Sequence, residues 1–140
     1  MPKVEKGSAY DLASYLPVGN PVEKIHGWKK QGADICYLPS RRIKNEIDVI
    51  RWVLKKYHFP DSANLFYRRQ EENYQDVAER VLPDVLIEDD CESIGGEPEM
   101  TYPQIKPESK EKIKAIPVKE FGGIDHLPDD VDKLKSYNWK

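Results

Sequence analysis

Asp84-Val85-Leu86-Ile87-Glu88-Asp89-Asp90 runs a short apolar segment directly into three consecutive acids. A strand covered by helices on both faces reads as an unbroken apolar run rather than as an alternation. The acids mark where such a strand leaves the core. Upstream, Glu71 to Val81 carries Tyr74, Val77, Ala78 and Val81 at a 3.6-residue period, which predicts a helix feeding this strand. Ala115-Ile116-Pro117-Val118 predicts a second buried strand downstream, after a segment from Pro107 to Lys114 that reads as helical.

The pattern extends in both directions. Leu65-Phe66-Tyr67 reads as a brief strand, and Ile47, Ile50, Val53, Leu54 and Tyr57 give a helix from Asn45 that Phe59-Pro60-Asp61-Ser62 closes. Ala33 to Leu38 is a mostly apolar strand ending at Pro39. Before it, Asn20-Pro21 opens a helix carrying Val22, Ile25 and Trp28 and stopping at Gly32. Asp129 to Tyr137 predicts a closing helix, and Met1 to Ala9 reads as a frayed polar start. Strands alternating with helices predict the α/β class, a mainly parallel sheet with helices on both faces, as one domain over residues 1–140. Trp28, Trp52, Tyr57 and Tyr74 are expected in the core.

Composition bounds the function. The 140 residues hold 22 Lys+Arg against 25 Asp+Glu, a formal charge of −3, with both signs interspersed. That balance offers no broad attraction to nucleic acid or to an anionic membrane surface. No apolar run reaches the ~18 residues of a membrane span, so a soluble cytoplasmic protein is expected. Cys36 and Cys91 show neither CxxC nor His/Cys spacing and are expected reduced and largely buried. His26, His58 and His126 have no partner at metal or base–nucleophile spacing and read as packing or surface residues. P-loop, dinucleotide and nucleophile-elbow motifs are absent from the sequence.

In parallel sheets, ligands bind beyond the carboxyl ends of the strands. Those ends carry Ser40-Arg41-Arg42, Arg68-Arg69 and Glu88-Asp89-Asp90. Crowded carboxylates repel one another, and a hard cation such as Mg²⁺ relieves this by sharing their oxygens. Ser40, Arg41, Arg68 and Arg69 could hold a phosphate bridging to that ion. The plainer alternatives are a solvated acidic loop or helix cap, surface arginines and a turn serine. The Glu92 to Pro107 segment reads either as a loop over the site or as a simple connection.

Asp84 to Asp90, together with Tyr37-Leu-Pro-Ser-Arg-Arg42, resembles the haloacid dehalogenase-like superfamily, in particular its capless and 5'-nucleotidase-like phosphatases. The resemblance covers roughly residues 20 to 120. It implies a Rossmann-like three-layer sandwich, with Ser40 in the hydroxyl motif where Pro39 stands at the usual hydroxyl position, Arg68 or Arg69 in the basic motif, and Glu88, Asp89 and Asp90 in the acidic, magnesium-binding motif. The family's DxD motif, source of the nucleophile and of the acid/base, has no match in residues 1–20, where Asp11 is the sole aspartate. In the family that motif ends a central strand, lying between those that would here be Ala33–Leu38 and Asp84–Ile87. Without it two half-sheets with exposed edges are expected. Either the sequence begins downstream of that strand, or residues 1–12 supply a degenerate one, or another chain fills the gap.

Two functions follow as expectations. One is a Mg²⁺-dependent phosphohydrolase domain that is inactive as the chain stands. The other is a non-catalytic relative binding a phosphorylated small molecule or a protein partner, with a homo-oligomer compatible with either. A phosphoacceptor receiver domain is set aside, because only 50 residues follow Asp90.

Overall fold

The computed structural model describes residues 19–38, 44–68, 71–92, 95–119 and 122–138. Its regular elements are α1 (Pro21–Lys30), α2 (Lys44–Lys56), α3 (Tyr74–Val81), β1 (Val85–Asp89), α4 (Pro107–Lys110), β2 (Lys114–Val118) and α5 (Val131–Lys135), with 3-10 turns at Glu97–Glu99 and Tyr102–Gln104. Helix and strand are mixed, and the strand pairing is parallel: β1 and β2 form a two-stranded sheet in which Val85 stands opposite Lys114 and Asp89 opposite Val118. A second parallel contact, a single bridge, joins Tyr37 to Leu65.

The apolar run of β1 serves two faces because successive side chains alternate. Val85 and Ile87 pack against the cluster of Trp28, Ile116, Val118, Leu127 and Leu134. Leu86 packs on the other side with Ala78, Ile105 and Ile113. Ala33 and Ile35 touch the first cluster and Leu38 the second, so the stretch before Pro39 contributes to the same two layers as β1.

Helix α1 follows the expected bounds, with Gly32 taking φ +101° just beyond its end, a conformation glycine adopts without strain. Its start is held from far away. The Asn20 N–H donates to Asp125 Oδ1 at 2.8 Å, and Gly19 lies so close that a Cβ there would collide with the Asp125 carboxylate. Trp28 Nε1 donates to the Pro128 carbonyl at 2.9 Å, Lys24 Nζ to that of Leu127 at 2.7 Å, and Gln31 bonds both the Asp129 carbonyl and the Val131 N–H.

Several expectations are corrected. The strand expected over Ala33–Leu38 shrinks to the Tyr37 bridge, because side chains take the flanking backbone groups: the Ile35 N–H donates to Asp61 Oδ2, and Asn64 Nδ2 donates to the Ile35 carbonyl. Leu65–Tyr67 likewise shrinks to Leu65. Helix α3 begins at Tyr74 instead of Glu71, where Asp76 Oδ2 accepts the Asn73 N–H at 2.8 Å. The helix expected to reach Lys114 is the single turn α4, because the Lys114 N–H is drawn into the ladder with the Asp84 carbonyl. Trp52 is 52% exposed and outside the core, with Lys56 Nζ 5.1 Å from its ring centre. Trp28 is buried. No helix among the described residues is long and apolar enough to cross a membrane.

Candidate functional site

The carboxyl end of β1 places Glu88, Asp89 and Asp90 beside the end of β2, where the Asp90 N–H donates to the Val118 carbonyl at 2.8 Å. Their carboxylates then part company. Asp89 is exposed, and its Oδ1 accepts the Cys91 N–H at 2.8 Å in a tight turn that carries Cys91 at φ +53°. Asp90 Oδ1 accepts the Glu92 N–H at 3.2 Å. Short acidic side chains at strand ends commonly bond their own backbone two residues on, and both aspartates do so here.

Glu88 turns inward instead. Its Oε1 accepts the Thr101 N–H at 2.7 Å and so ties the second 3-10 turn to the end of the sheet. Its Oε2 is buried and has no hydrogen-bond partner among the described residues. Burial pushes the Glu88 carboxyl above its ordinary value, and the Asp89 charge adds to this. The backbone donors of Thr101 and Tyr102 and the Thr101 hydroxyl offset only part of the effect.

The loop between β1 and α4 therefore folds back on the strand end. The Gly96 N–H donates to the Cys91 carbonyl at 2.8 Å, and Gln104 Nε2 to that of Pro98 at 3.1 Å. Lys110 Nζ lies 5.1 Å from the centre of the Tyr102 ring. Thr101, 8% exposed, is the functional neighbour that sequence spacing missed. It stands 13 residues from Glu88, in a stretch with no periodicity to announce it.

Of the basic and hydroxyl candidates, Ser40, Arg41 and Arg69 lie outside the described residues, so the expectation that Ser40 and Asp89 share a sheet end falls there too. Arg68 is half-buried and stands three residues past Leu65, beyond its single bridge to Tyr37. Both cysteines are free thiols and partly buried. Burial raises the Cys36 thiol, as do the charges of Asp34 and Asp61. His26 Nε2 lies 2.7 Å from the His58 carbonyl oxygen, which makes His26 a tether between α1 and the loop after α2.

Among the described residues, no group of three or more His, Cys, Asp and Glu side chains could hold a metal ion. A pair is a different matter. Mg²⁺ typically keeps several waters and uses only one or two protein carboxylates together with phosphate oxygens. Of the three acids at this strand end, Glu88 alone leaves a buried oxygen without a hydrogen-bond partner among the described residues. Comparison with family models, curated proteins and solved structures gives no match.

Proposed function

We propose that the carboxyl end of β1 is a Mg²⁺-assisted phosphate site of the haloacid dehalogenase-like kind, and that this chain binds phosphate esters without hydrolysing them. The observation that carries the reading is Glu88 Oε2, a carboxylate oxygen removed from water and without a hydrogen-bond partner among the described residues. Such an oxygen costs about 1–3 kcal/mol, and more when charged. A cation beside it converts that cost into binding energy. Glu88 would hold the ion through Oε2, with the charges of Asp89 and Asp90 beside it, and Arg68, Arg69, Arg41 and Ser40 would hold the ester's phosphate oxygens. Bound Mg²⁺ supplies charge neutralisation between carboxylate and phosphate.

Hydrolysis by covalent catalysis also needs a carboxylate in line with phosphorus. Residues 1–20 offer Asp11 and no DxD. Glu88 and Asp89 cannot coordinate the metal and attack phosphorus together, because the two tasks require different approach directions. The non-catalytic form of the family reading therefore fits this sequence better than the hydrolytic one.

Thermal melting with millimolar Mg²⁺ tests the site. Ligand at ten times its Kd stabilises a folded state by about 1.4 kcal/mol, so the wild-type melting temperature should rise. Glu88→Gln and Asp89→Asn should each lose that rise. p-Nitrophenyl phosphate with Mg²⁺ should give no turnover. An unchanged melting temperature in all three proteins removes the metal, and robust hydrolysis abolished by Asp89→Asn restores the enzyme.

A further inference from the structure

Glu88 is held differently from the two acids beside it. Asp89 and Asp90 each turn a carboxylate oxygen back to their own backbone two residues on. Glu88 is oriented from outside its own segment, because its Oε1 accepts the Thr101 N–H at 2.7 Å from 13 residues away. That donor is itself fixed. Ile105, 3% exposed, belongs to the second apolar cluster, and Tyr102 packs against the same cluster. Lys110 Nζ donates to the Pro103 carbonyl at 3.4 Å and the Lys106 N–H to Glu79 Oε2 at 2.8 Å, so α4 and α3 both brace the turn that carries Thr101. The start of a helical turn leaves N–H groups without partners inside the turn. Pro103 has none to offer, and those of Thr101 and Tyr102 support the Glu88 carboxylate. A glutamate side chain has several rotatable bonds to immobilise. Because the carboxylate is rigid and planar, holding Oε1 decides where Oε2 is aimed.

We propose, building on the Mg²⁺ site above, that Thr101 is its positioning residue: the Thr101 N–H clamps Glu88 Oε1 so that the buried Oε2 is presented to the cation, and the bound cation in turn secures the loop through the same carboxylate. Each contact removes side-chain freedom that the other would otherwise have to remove, so the two reinforce one another. Linkage makes the effect reciprocal, and whatever Thr101 adds to Mg²⁺ affinity, Mg²⁺ adds to the hold on the 3-10 turn at Tyr102–Gln104.

Thr101→Pro removes the donor with little demand on the backbone. Thr101 has φ −75°, within the range a proline ring imposes, and Met100 before it is extended at ψ 160°, as a residue preceding proline prefers. Thr101→Val keeps the N–H and the branched shape and removes only the hydroxyl. Mg²⁺ titrations of the full chain, read by amide chemical shifts and amide exchange, separate the two. In wild type, Mg²⁺ should slow exchange at the Thr101 and Tyr102 amides about fivefold or more, the low end of common couplings. Thr101→Pro should weaken Mg²⁺ binding by about the same factor, and Thr101→Val should stay within about twofold of wild type. Binding is read on folded protein, so a merely structural role for Thr101 would lower the melting temperature without moving the Mg²⁺ Kd. An unchanged Kd in Thr101→Pro, or an equal loss in Thr101→Val, overturns the positioning role and leaves the metal site standing. If Thr101→Pro does not fold, wild-type exchange decides alone: Mg²⁺ binding without slowing at these two amides overturns the proposal. Absence of Mg²⁺ binding in wild type removes the metal site and the positioning role together.

Discussion

Replacing Glu88 by Gln isolates a charge buried at the end of β1. Glutamine keeps an oxygen to accept the Thr101 N–H and removes the charge from the oxygen position that has no partner among the described residues. The folded-state pKa of Glu88 lies above its ordinary value of 4.5, so the protonated form is favoured by folding. The associated stability is fully present below pH 4.5 and is lost as pH rises through the elevated folded value. Wild type should therefore weaken between mildly acidic and neutral pH relative to the variant. At pH 8 in EDTA, relief of an uncompensated buried charge should leave Glu88→Gln more stable by about 1 kcal/mol, allowing for the amide nitrogen it introduces. For a chain of this size that is roughly 3–5 °C in melting temperature. Urea unfolding and thermal melts at pH 4, 6 and 8 measure it. A variant no more stable than wild type at pH 8, or a difference constant across pH, would refute the picture of a charge without compensation.

Other outcomes follow from the packing. Ile116, a residue of β2, is fully buried in the first cluster, so Ile116→Ala should cost about 2–5 kcal/mol in urea unfolding; a loss under 1 kcal/mol would mean that cluster is not packed as described. Asp61 accepts from Lys29 and from the Ile35 N–H, and the Lys29 bond leads in holding its carboxyl below the ordinary range. Its contribution is present above pH 3.8 and fades as pH falls through the lowered value, so Asp61→Asn should destabilise at pH 7 and converge with wild type in strong acid. A deficit that persists unchanged below pH 3 would contradict this.

Strands β1 and β2 were legible in the sequence because a doubly covered strand leaves an apolar signature that needs no partner to be recognised. Helix α1 was legible through Pro21 and Gly32, whose backbone preferences are local. The stretch before Pro39 misled for the converse reason: its composition is that of a strand, but Asp61 and Asn64 compete for its backbone from about thirty residues away. Trp52 misled because aromatic spacing says nothing about which arc of a helix faces inward. At the site, the three acids could be found as a run, but their divergence could not. Asp89 and Asp90 bend back to their own chain, and Glu88 answers Thr101, a partner chosen by the loop's path. The arginine and serine candidates rest on the sequence alone, since of these four only Arg68 lies among the described residues.

The stitching of α1 to residues 124–131 has a consequence for how the chain matures. Lys24, Trp28 and Gln31 find their partners about a hundred residues later. Contacts of such separation must close a long loop before they reward the chain, which slows folding. On a ribosome adding ~5–20 residues per second, α1 emerges several seconds before Leu127 and Pro128 can reach it. During that interval the indole of Trp28 lacks the cover of Leu127 and Leu134, and the half-made core must be shielded by whatever else the cell provides. Helix α1, made early, is thus among the last elements to be finished, and the burial of its single tryptophan reports when Leu127 and Leu134 have docked.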